Sequence, residues 1–231
     1  MLYKDWEPLF EKIAEDFNFQ IENEKKAADL LDKLLNKKKL FPIKKLKEMI
    51  NNKDVVIFGA GSSLEEKIIE YKNEIVNLVK ISADGATSAL LKNNFSPEII
   101  VTDLDGYVPD QIKANSNGSV TIIHAHGDNI SKIKKYLPEF KKDIIGSTQI
   151  DPQPYKNIFN FGGFTDGDRA VFLASHFNAQ KIHMIGFDFK GRIGKYSYPE
   201  KKDINQKLKK LKWCKNLIKL LIKDKKNIYY L

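Results

Sequence analysis

Aspartates that follow apolar runs are the residues of this sequence best suited to chemistry. The segment TDLDG places Asp103 and Asp105 directly after the apolar run 99–102. Alternate side chains of an extended segment point the same way, so both carboxylates could reach one ion. Carboxylate oxygens are the ligands that Mg²⁺ prefers in proteins. The spacing therefore predicts a divalent metal site at this point of the chain.

Further aspartates occupy similar positions, in or next to segments that contain glycine. They are Asp84, Asp128, Asp166, Asp168 and Asp188. Each one taken singly has the simpler interpretation of a helix N-cap. Repulsion among so many carboxylates at one place would cost stability unless cations offset it. Mg²⁺ bridging a polyphosphate would supply that positive charge.

The segment GAGSSL, residues 59–64, is a candidate phosphate loop. It follows an apolar run and precedes a helical stretch, so free backbone N–H groups could bind phosphate there. The third glycine of the dinucleotide fingerprint GxGxxG is replaced by Leu64, which makes NAD a poor fit. A phosphate loop is favoured, and a plain strand-to-helix turn is the alternative.

Arginine and histidine supply the other candidate ligand contacts. Among 39 basic residues only Arg169 and Arg192 are arginine, and both lie in glycine-containing segments. The planar fork of arginine suits phosphate better than lysine does. His124 and His126 are two residues apart but lack a third imidazole at useful spacing. We expect His124 to be buried in a strand and His126 to contact a ligand.

The elements that must position these residues begin at residue 54, where short β-branched runs alternate with helical stretches. Continuous apolar runs are typical of parallel strands covered on both faces. We predict an α/β fold, an open and mostly parallel Rossmann-like sheet flanked by helices, with ligands at the carboxyl ends of the strands. The predicted strands are residues 55–58, 79–83, 99–102, 120–124, 144–146, 158–161, 181–187 and, as a last short one, 227–230.

Apolar residues at helical spacing predict three helices before the first strand and further helices between and after the strands. The first three form an N-terminal helical region, residues 1–52, and the rest belong to an α/β domain, residues 53–231. The N-terminal helices could cap one face of the sheet or form a homodimer contact. The predicted helices are 2–18, 23–40, 43–51, 64–73, 86–93, 109–115, 129–137, 166–177 and 203–223.

Composition and charge limit the class of protein. No apolar run of the 231 residues approaches the roughly 18 needed to cross a membrane, and one cysteine excludes a disulfide framework. We therefore expect a cytoplasmic protein without membrane contact. The net charge of +9 is concentrated in residues 196–231, which carry 11 lysines against 3 acids. This basic helix is either a solvated lysine face or a surface that attracts polyanions.

The motifs together resemble a known family. GAGSSL, ADGATSALL, TDLDG, HGDN, GGFTDGDRA and IGFDF occur in this order in the archaeal 6-hydroxymethyl-7,8-dihydropterin pyrophosphokinases of the MptE type. The resemblance covers residues 54–195 and extends more weakly to thiamin pyrophosphokinases, in ADGA, TDLDG and TDGDRA. Gly106 and Arg169 stand where the thiamin enzymes have serine and lysine, which argues against thiamin as the substrate.

The resemblance implies ATP- and Mg²⁺-dependent transfer of diphosphate to a dihydropterin, with release of AMP, in tetrahydromethanopterin or folate-type biosynthesis. It implies Asp103, Asp105, Asp128 and Asp166 as metal ligands, and Asp103, Asp105 and Arg169 as catalytic residues. His126, Asp168 and Asp188 would bind the pterin. The residues expected to bind the nucleotide are Gly59, Gly61, Ser62, Ser63, Asp84, Gly85, Arg192 and Lys195.

Other functions stay open on the sequence alone. Thiamin pyrophosphorylation and sugar-nucleotide-dependent transfer use related folds. An NAD(P)-dependent oxidoreductase would use the glycine loop, and a nucleic-acid-binding protein would use the basic C-terminal helix. The aspartates make the last two less favourable, because without metal they would repel phosphate.

Overall fold

A computed structural model describes residues 3–189, 193–198 and 203–231. In it, eight parallel strands form one open sheet with helices on both faces, which confirms the predicted fold class. The strands are β1 (Asp54–Phe58), β2 (Val79–Ala83), β3 (Ile99–Thr102), β4 (Val120–Ala125), β5 (Ile144–Thr148), β6 (Ile158–Phe159), β7 (Lys181–Ile185) and β8 (Ile228–Tyr230). The helices are α1 (Tyr3–Phe17), α2 (Ile21–Leu35), α3 (Ile43–Ile50), α4 (Leu64–Glu70), α5 (Lys72–Ile75), α6 (Ala86–Lys92), α7 (Val108–Ser116), α8 (Ile130–Tyr136), α9 (Asp166–His176) and α10 (Ile204–Asp224).

The order of the strands places a crevice beside β1. The sheet runs β6-β5-β4-β3-β2-β1-β7-β8, so the chain adds strands outward from β1 and then returns to its other side. Val56 pairs with Lys80 of β2 on one side and with His183 of β7 on the other. In open α/β sheets, ligands bind where the winding direction changes in this way. The loops after β1 and β7 therefore meet at the expected ligand site.

Side chains of β1 alternate between two hydrophobic clusters, one on each face of the sheet. Val55 and Ile57 belong to the larger cluster, which includes residues of α1, α2, α9 and α10. Val56 and Phe58 belong to the smaller one, which includes residues of α4, α5 and α6. Burial on both faces explains why β1 is continuously apolar from Val55 to Phe58.

The N-terminal helices cover one face of the sheet, the first of the two alternatives for them. Trp6 of α1 is fully buried against Phe172, and its indole Nε1–H donates to the carbonyl of Gln149 at 2.8 Å. Leu40 forms a short parallel bridge with Ile144 of β5. The homodimer stays a prediction.

Two predicted strands end earlier than the sequence indicated. β6 stops at Phe159 and β7 stops at Ile185, because glycines beyond them turn the chain. Gly162, Gly163 and Gly186 have φ angles of 81°, 89° and 72°, a region that side chains disfavour. In the part of the chain that the structure describes, no helix has the length and apolar character required to cross a membrane.

Helix α9 brings a distant part of the chain to the centre of the sheet. It follows the edge strand β6, yet it packs against β1, β2 and β3. The loop between β6 and α9 therefore returns across the carboxyl edge of the sheet. The first residue of α9, Asp166, consequently lies beside the ends of β2 and β3.

Candidate active site

A cavity of about 360 Å³ opens at the carboxyl edge of the sheet. Its volume is within the range of small-molecule sites. Ten of the sequence-predicted site residues line it, together with four phenylalanines from three parts of the chain. The ten are Gly59, Gly61, Asp84, Asp103, Asp105, His126, Asp128, Asp166, Arg169 and Asp188, and the phenylalanines are Phe19, Phe164, Phe187 and Phe189.

Three carboxylates converge in the cavity. Asp84 follows β2, Asp103 follows β3 and Asp166 begins α9. One oxygen from each lies within 4.8 Å of the others. Such an arrangement is typical of a site for a divalent cation, because three anions at this distance repel one another when no cation is bound.

Asp84 is held rigidly by its neighbours. Its Oδ1 accepts hydrogen bonds from the Thr102 hydroxyl at 3.0 Å, the Gly106 N–H at 3.0 Å and the Gln111 amide at 2.8 Å. A Cβ on Gly106 would lie 2.6 Å from Asp84 Oδ2, so only glycine fits there. Asp84, expected to bind the nucleotide, is thus a member of the carboxylate cluster.

Asp103 carries its negative charge in a partly buried position. His126 Nε2 lies 3.3 Å from its Oδ2. Burial raises the pKa of Asp103, but the hydrogen bond and charge of His126, with the charges of Arg169 and Lys210, hold that pKa well below its usual range. Asn129 fixes the surrounding loops by donating to the carbonyl of Asp103 at 2.9 Å.

The pKa of Asp166 is shifted in the opposite direction from that of Asp103. Its Oδ1 accepts from Arg169 Nη1 at 2.9 Å, and its Oδ2 accepts from the Asp103 N–H at 3.3 Å. Burial and the neighbouring Asp103 charge nevertheless hold the pKa of Asp166 well above its usual range. A cation among the three carboxylates would favour the ionised form of Asp166.

The residues present fit a hard divalent cation. The donor set consists of carboxylate oxygens, the type that Mg²⁺ prefers. The Oδ1 atom of Asp103 is buried and has no hydrogen-bond partner among the described residues. A buried carboxylate oxygen without a partner is costly, and a metal ion would satisfy it.

Asp105 and Asp128, predicted as metal ligands, lie outside the three-carboxylate cluster. The backbone does not stay extended after Asp103, because Leu104 has φ 65° and its side chain is buried. Asp105 consequently points elsewhere and pairs with Lys132 of α8. Asp128 is exposed at the cavity wall. The alternation argument for the DxD pair therefore fails at Leu104.

The loop after β1 is built differently from the predicted phosphate loop. The Gly59 N–H and Gly61 N–H donate to the carbonyls of Ile185 and Gly186, each at 2.9 Å. A Cβ on Gly61 would lie 2.5 Å from Asp188 Oδ2, so the glycine allows the loops after β1 and β7 to touch. These two N–H groups are therefore engaged by protein and cannot bind phosphate as arranged.

Asp188 occupies the position that an anion would take at this loop. It accepts from the Ser63 N–H at 2.7 Å, from the Ser63 hydroxyl at 2.9 Å and from the Ser62 hydroxyl at 3.3 Å. Its carboxylate still borders the cavity, whereas the two serines are not among the cavity residues in the described chain. Asp188 thus orders the glycine loop.

Asp168 does not reach the cavity. It is fully buried and caps α9, accepting from the Phe164 N–H at 2.6 Å, the Thr165 N–H at 2.8 Å and the Thr165 hydroxyl. Thr165 and Asp168 form a capping box, the simple helix-cap interpretation that any single aspartate allowed. With both carboxylate oxygens engaged in the cap, this position does not support the predicted contact between Asp168 and a pterin ring.

Three residues predicted to bind the nucleotide remain: Lys195 lies in the segment 193–198, Gly85 contacts this segment, and Arg192 precedes it in the sequence. Lys195 pairs with Glu65 of α4 rather than entering the cavity. Gly85 lies against the Tyr196 carbonyl and serves close packing. Arg192 lies outside the described residues.

Glu65 attaches the segment 193–198 to α4. Hydrogen bonds from Lys195 and Tyr196 lower the pKa of Glu65 from 4.5 to about 2. A depressed carboxyl pKa stabilises the folded state above pH 4.5, and the contribution is lost as the pH falls towards about 2.

We expect Glu65→Gln to speed amide hydrogen exchange in residues 193–198 at pH 7, because the substitution removes the charge that holds this segment to α4. The exposed neighbour Glu66→Gln is the control, and equal exchange in both variants would contradict the attachment.

Two groups of site residues escaped the sequence analysis. Glu24 of α2 is buried and accepts from the Gly127 N–H at 3.0 Å and from Gln149 Nε2 at 2.8 Å, so it positions the loop that carries His126. Lys207 and Lys210 of the basic helix α10 line the cavity. The sequence did contain a signal for Lys207 and Lys210, because residues three positions apart share one face of a helix.

Fold and site together define a doubly wound α/β protein with a carboxylate-lined ligand site at its switch point. Comparison with known proteins identifies the family more closely. Residues 26–193 match the family described as 6-hydroxymethylpterin diphosphokinase MptE-like. The chain belongs to this family.

Relatives extend the likeness to the whole chain. A Methanocaldococcus jannaschii protein named 6-hydroxymethyl-7,8-dihydropterin pyrophosphokinase is 45% identical, over 99% of this chain and 98% of its own length. A protein of the same name from Pyrococcus furiosus is 40% identical, over 96% and 94%. A third, from Methanothermobacter thermautotrophicus, is 40% identical, over 84% and 82%.

Proposed function

We propose that this chain transfers the diphosphate group of ATP to the hydroxymethyl group of 6-hydroxymethyl-7,8-dihydropterin and releases AMP. The observation that carries the proposal is the convergence of Asp84, Asp103 and Asp166 in the cavity at the switch point of the sheet. Membership of the MptE-like family and the names of the three relatives support the choice of substrate.

The reaction requires positioning and neutralisation of charge. The substrate hydroxyl attacks the β-phosphorus of ATP in line and loses its proton to water, the bond from the β-phosphorus to the bridging α-phosphate oxygen breaks, and AMP leaves. When bound by Asp84, Asp103 and Asp166, Mg²⁺ would neutralise phosphate charge. Arg169, which borders the cavity, would donate its remaining N–H groups to phosphate oxygens. His126 would hold Asp103 in place, and Asp105 and Asp128 could act through water.

AMP formation tests the proposal. Purified protein, ATP and Mg²⁺ are incubated with 6-hydroxymethyl-7,8-dihydropterin, with thiamin, or with no acceptor. We expect AMP release that depends on the pterin and is abolished by EDTA. Stimulation by thiamin alone would keep the chemistry and change the substrate. No AMP with either acceptor would contradict the proposal and favour a sugar-nucleotide substrate.

A further inference from the structure

Helix α10 is fixed at one end in the core and borders the cavity at the other. Its second half contributes Leu217, Ile218 and Leu221 to the core. Its first half presents five residues to the cavity, at the spacing that places residues on one face of a helix. These five are Gln206, Lys207, Lys210, Leu211 and Cys214.

Contacts with α1 add to the core packing that orients this helix. Trp213 Nε1 donates to Asp16 Oδ2 at 2.6 Å, and Lys209 Nζ lies 2.8 Å from Asp16 Oδ1. Both contacts are on the side of α10 that faces α1. With that side held, Lys210 is kept at the cavity, where its Nζ lies 5.9 Å from the centre of the Phe164 ring.

Three other cations near the carboxylate cluster have anionic partners. Arg169 pairs with Asp166, Lys132 with Asp105, and His126 lies next to Asp103. Lys210, by contrast, forms no ion pair within 4.0 Å among the residues that the structure describes, and its charge acts on Asp103 from farther away. The residue is partly buried at the wall of the cavity, where its charge would be stabilised by an anion within reach.

We propose that Lys210 binds the phosphate chain of the nucleotide and so makes α10 part of the polyphosphate site. This inference rests on the proposed function for the identity of the nucleotide. The lysines of α10 differ in role: Lys210 faces the cavity, whereas Lys219 and Lys223 are exposed to solvent. Only the charges of α10 that face the cavity, those of Lys210 and Lys207, contribute to binding of a polyphosphate in the site.

Binding measurements test the role of Lys210 without relying on turnover. The affinities of Lys210→Gln and Lys219→Gln for the non-cleavable analogue α,β-methylene-ATP and for inorganic tripolyphosphate are measured by calorimetry with Mg²⁺. Loss of one charge-assisted contact is expected to weaken both affinities about 10- to 100-fold in Lys210→Gln. Lys219→Gln removes the same charge from an exposed position and is expected to bind like the unaltered protein. Lys210→Arg is expected to restore most of the affinity.

The controls separate phosphate binding from general damage. Thermal melting of Lys210→Gln and its affinity for the dihydropterin alone are expected to be unchanged. Equal affinity of Lys210→Gln and Lys219→Gln for both anions would overturn the proposal, as would an equal loss of affinity for the pterin. Absence of AMP production by the unaltered protein would refute the proposed function, yet the anion affinities would still test Lys210.

Discussion

We expect Asp103→Asn to lower kcat by about 100- to 1000-fold. We expect the kcat of Asp105→Asn to stay within about fivefold of that of the unaltered enzyme. Asp103 belongs to the three-carboxylate cluster and has a buried oxygen without a partner. Asp105 is one-third exposed and pairs with Lys132 outside that cluster. A partly exposed ion pair contributes little, so its loss has a small effect.

The pair of variants is informative because the two aspartates belong to one short motif. Steady-state rates of pterin-dependent AMP formation give kcat, and a Mg²⁺ titration gives the metal requirement of each variant. Asp103→Asn is expected to need a higher Mg²⁺ concentration for half-maximal rate, while Asp105→Asn keeps the original requirement. Equal losses of kcat in both variants would instead support joint ligation by the DxD pair.

Asp168→Ala is expected to destabilise the protein by about 2–4 kcal/mol, the largest loss of stability among the changes considered. The substitution leaves the buried Phe164 N–H and Thr165 N–H without acceptors at the start of α9. In a chain of this size, such a change lowers Tm by about 5–15 °C. Thermal melting measures it directly.

The cap of α10 provides the matched control for this variant. Asp203 accepts from the Asn205 N–H at 2.8 Å and the Gln206 N–H at 3.2 Å, but it is exposed. Water replaces an exposed cap, so Asp203→Ala is expected to cost only about 1 kcal/mol. If Asp168→Ala melted like Asp203→Ala and instead raised the KM for the pterin, Asp168 would contact substrate after all.

Local patterns predicted the sheet well because most strands are largely apolar runs, and β1, β2, β3 and β7 are followed directly by glycine or aspartate. β2 and β3 have the predicted bounds for this reason. Asp103 was predicted as a metal ligand from its position after β3, and it lies in the three-carboxylate cluster. The capping role of Asp168 was also readable, since Thr165 and Asp168 have the spacing of a capping box.

Which aspartates form the three-carboxylate cluster depends on tertiary contacts that no local sequence pattern contains. Asp84 and Asp166 meet because α9 returns from the edge of the sheet to its centre. Asp105 departs because a single residue, Leu104, adopts a positive φ. Glu24 reaches the site from a helix 103 positions away from its partner Gly127. Such arrangements follow from tertiary packing, which overrides local periodicity.

The strand order also has a consequence for how the enzyme is made. β1 to β6 can assemble by successive addition of neighbours, whereas β7 must return to β1, pairing Val56 with His183. Closing so long a loop is slow, because its entropy is lost before the new contacts form. The wall of the cavity that joins Gly61 to Asp188 depends on this closure. A nascent chain that has stacked its first strands therefore has no complete pocket, and catalytic competence arises only with the last strands to be synthesised.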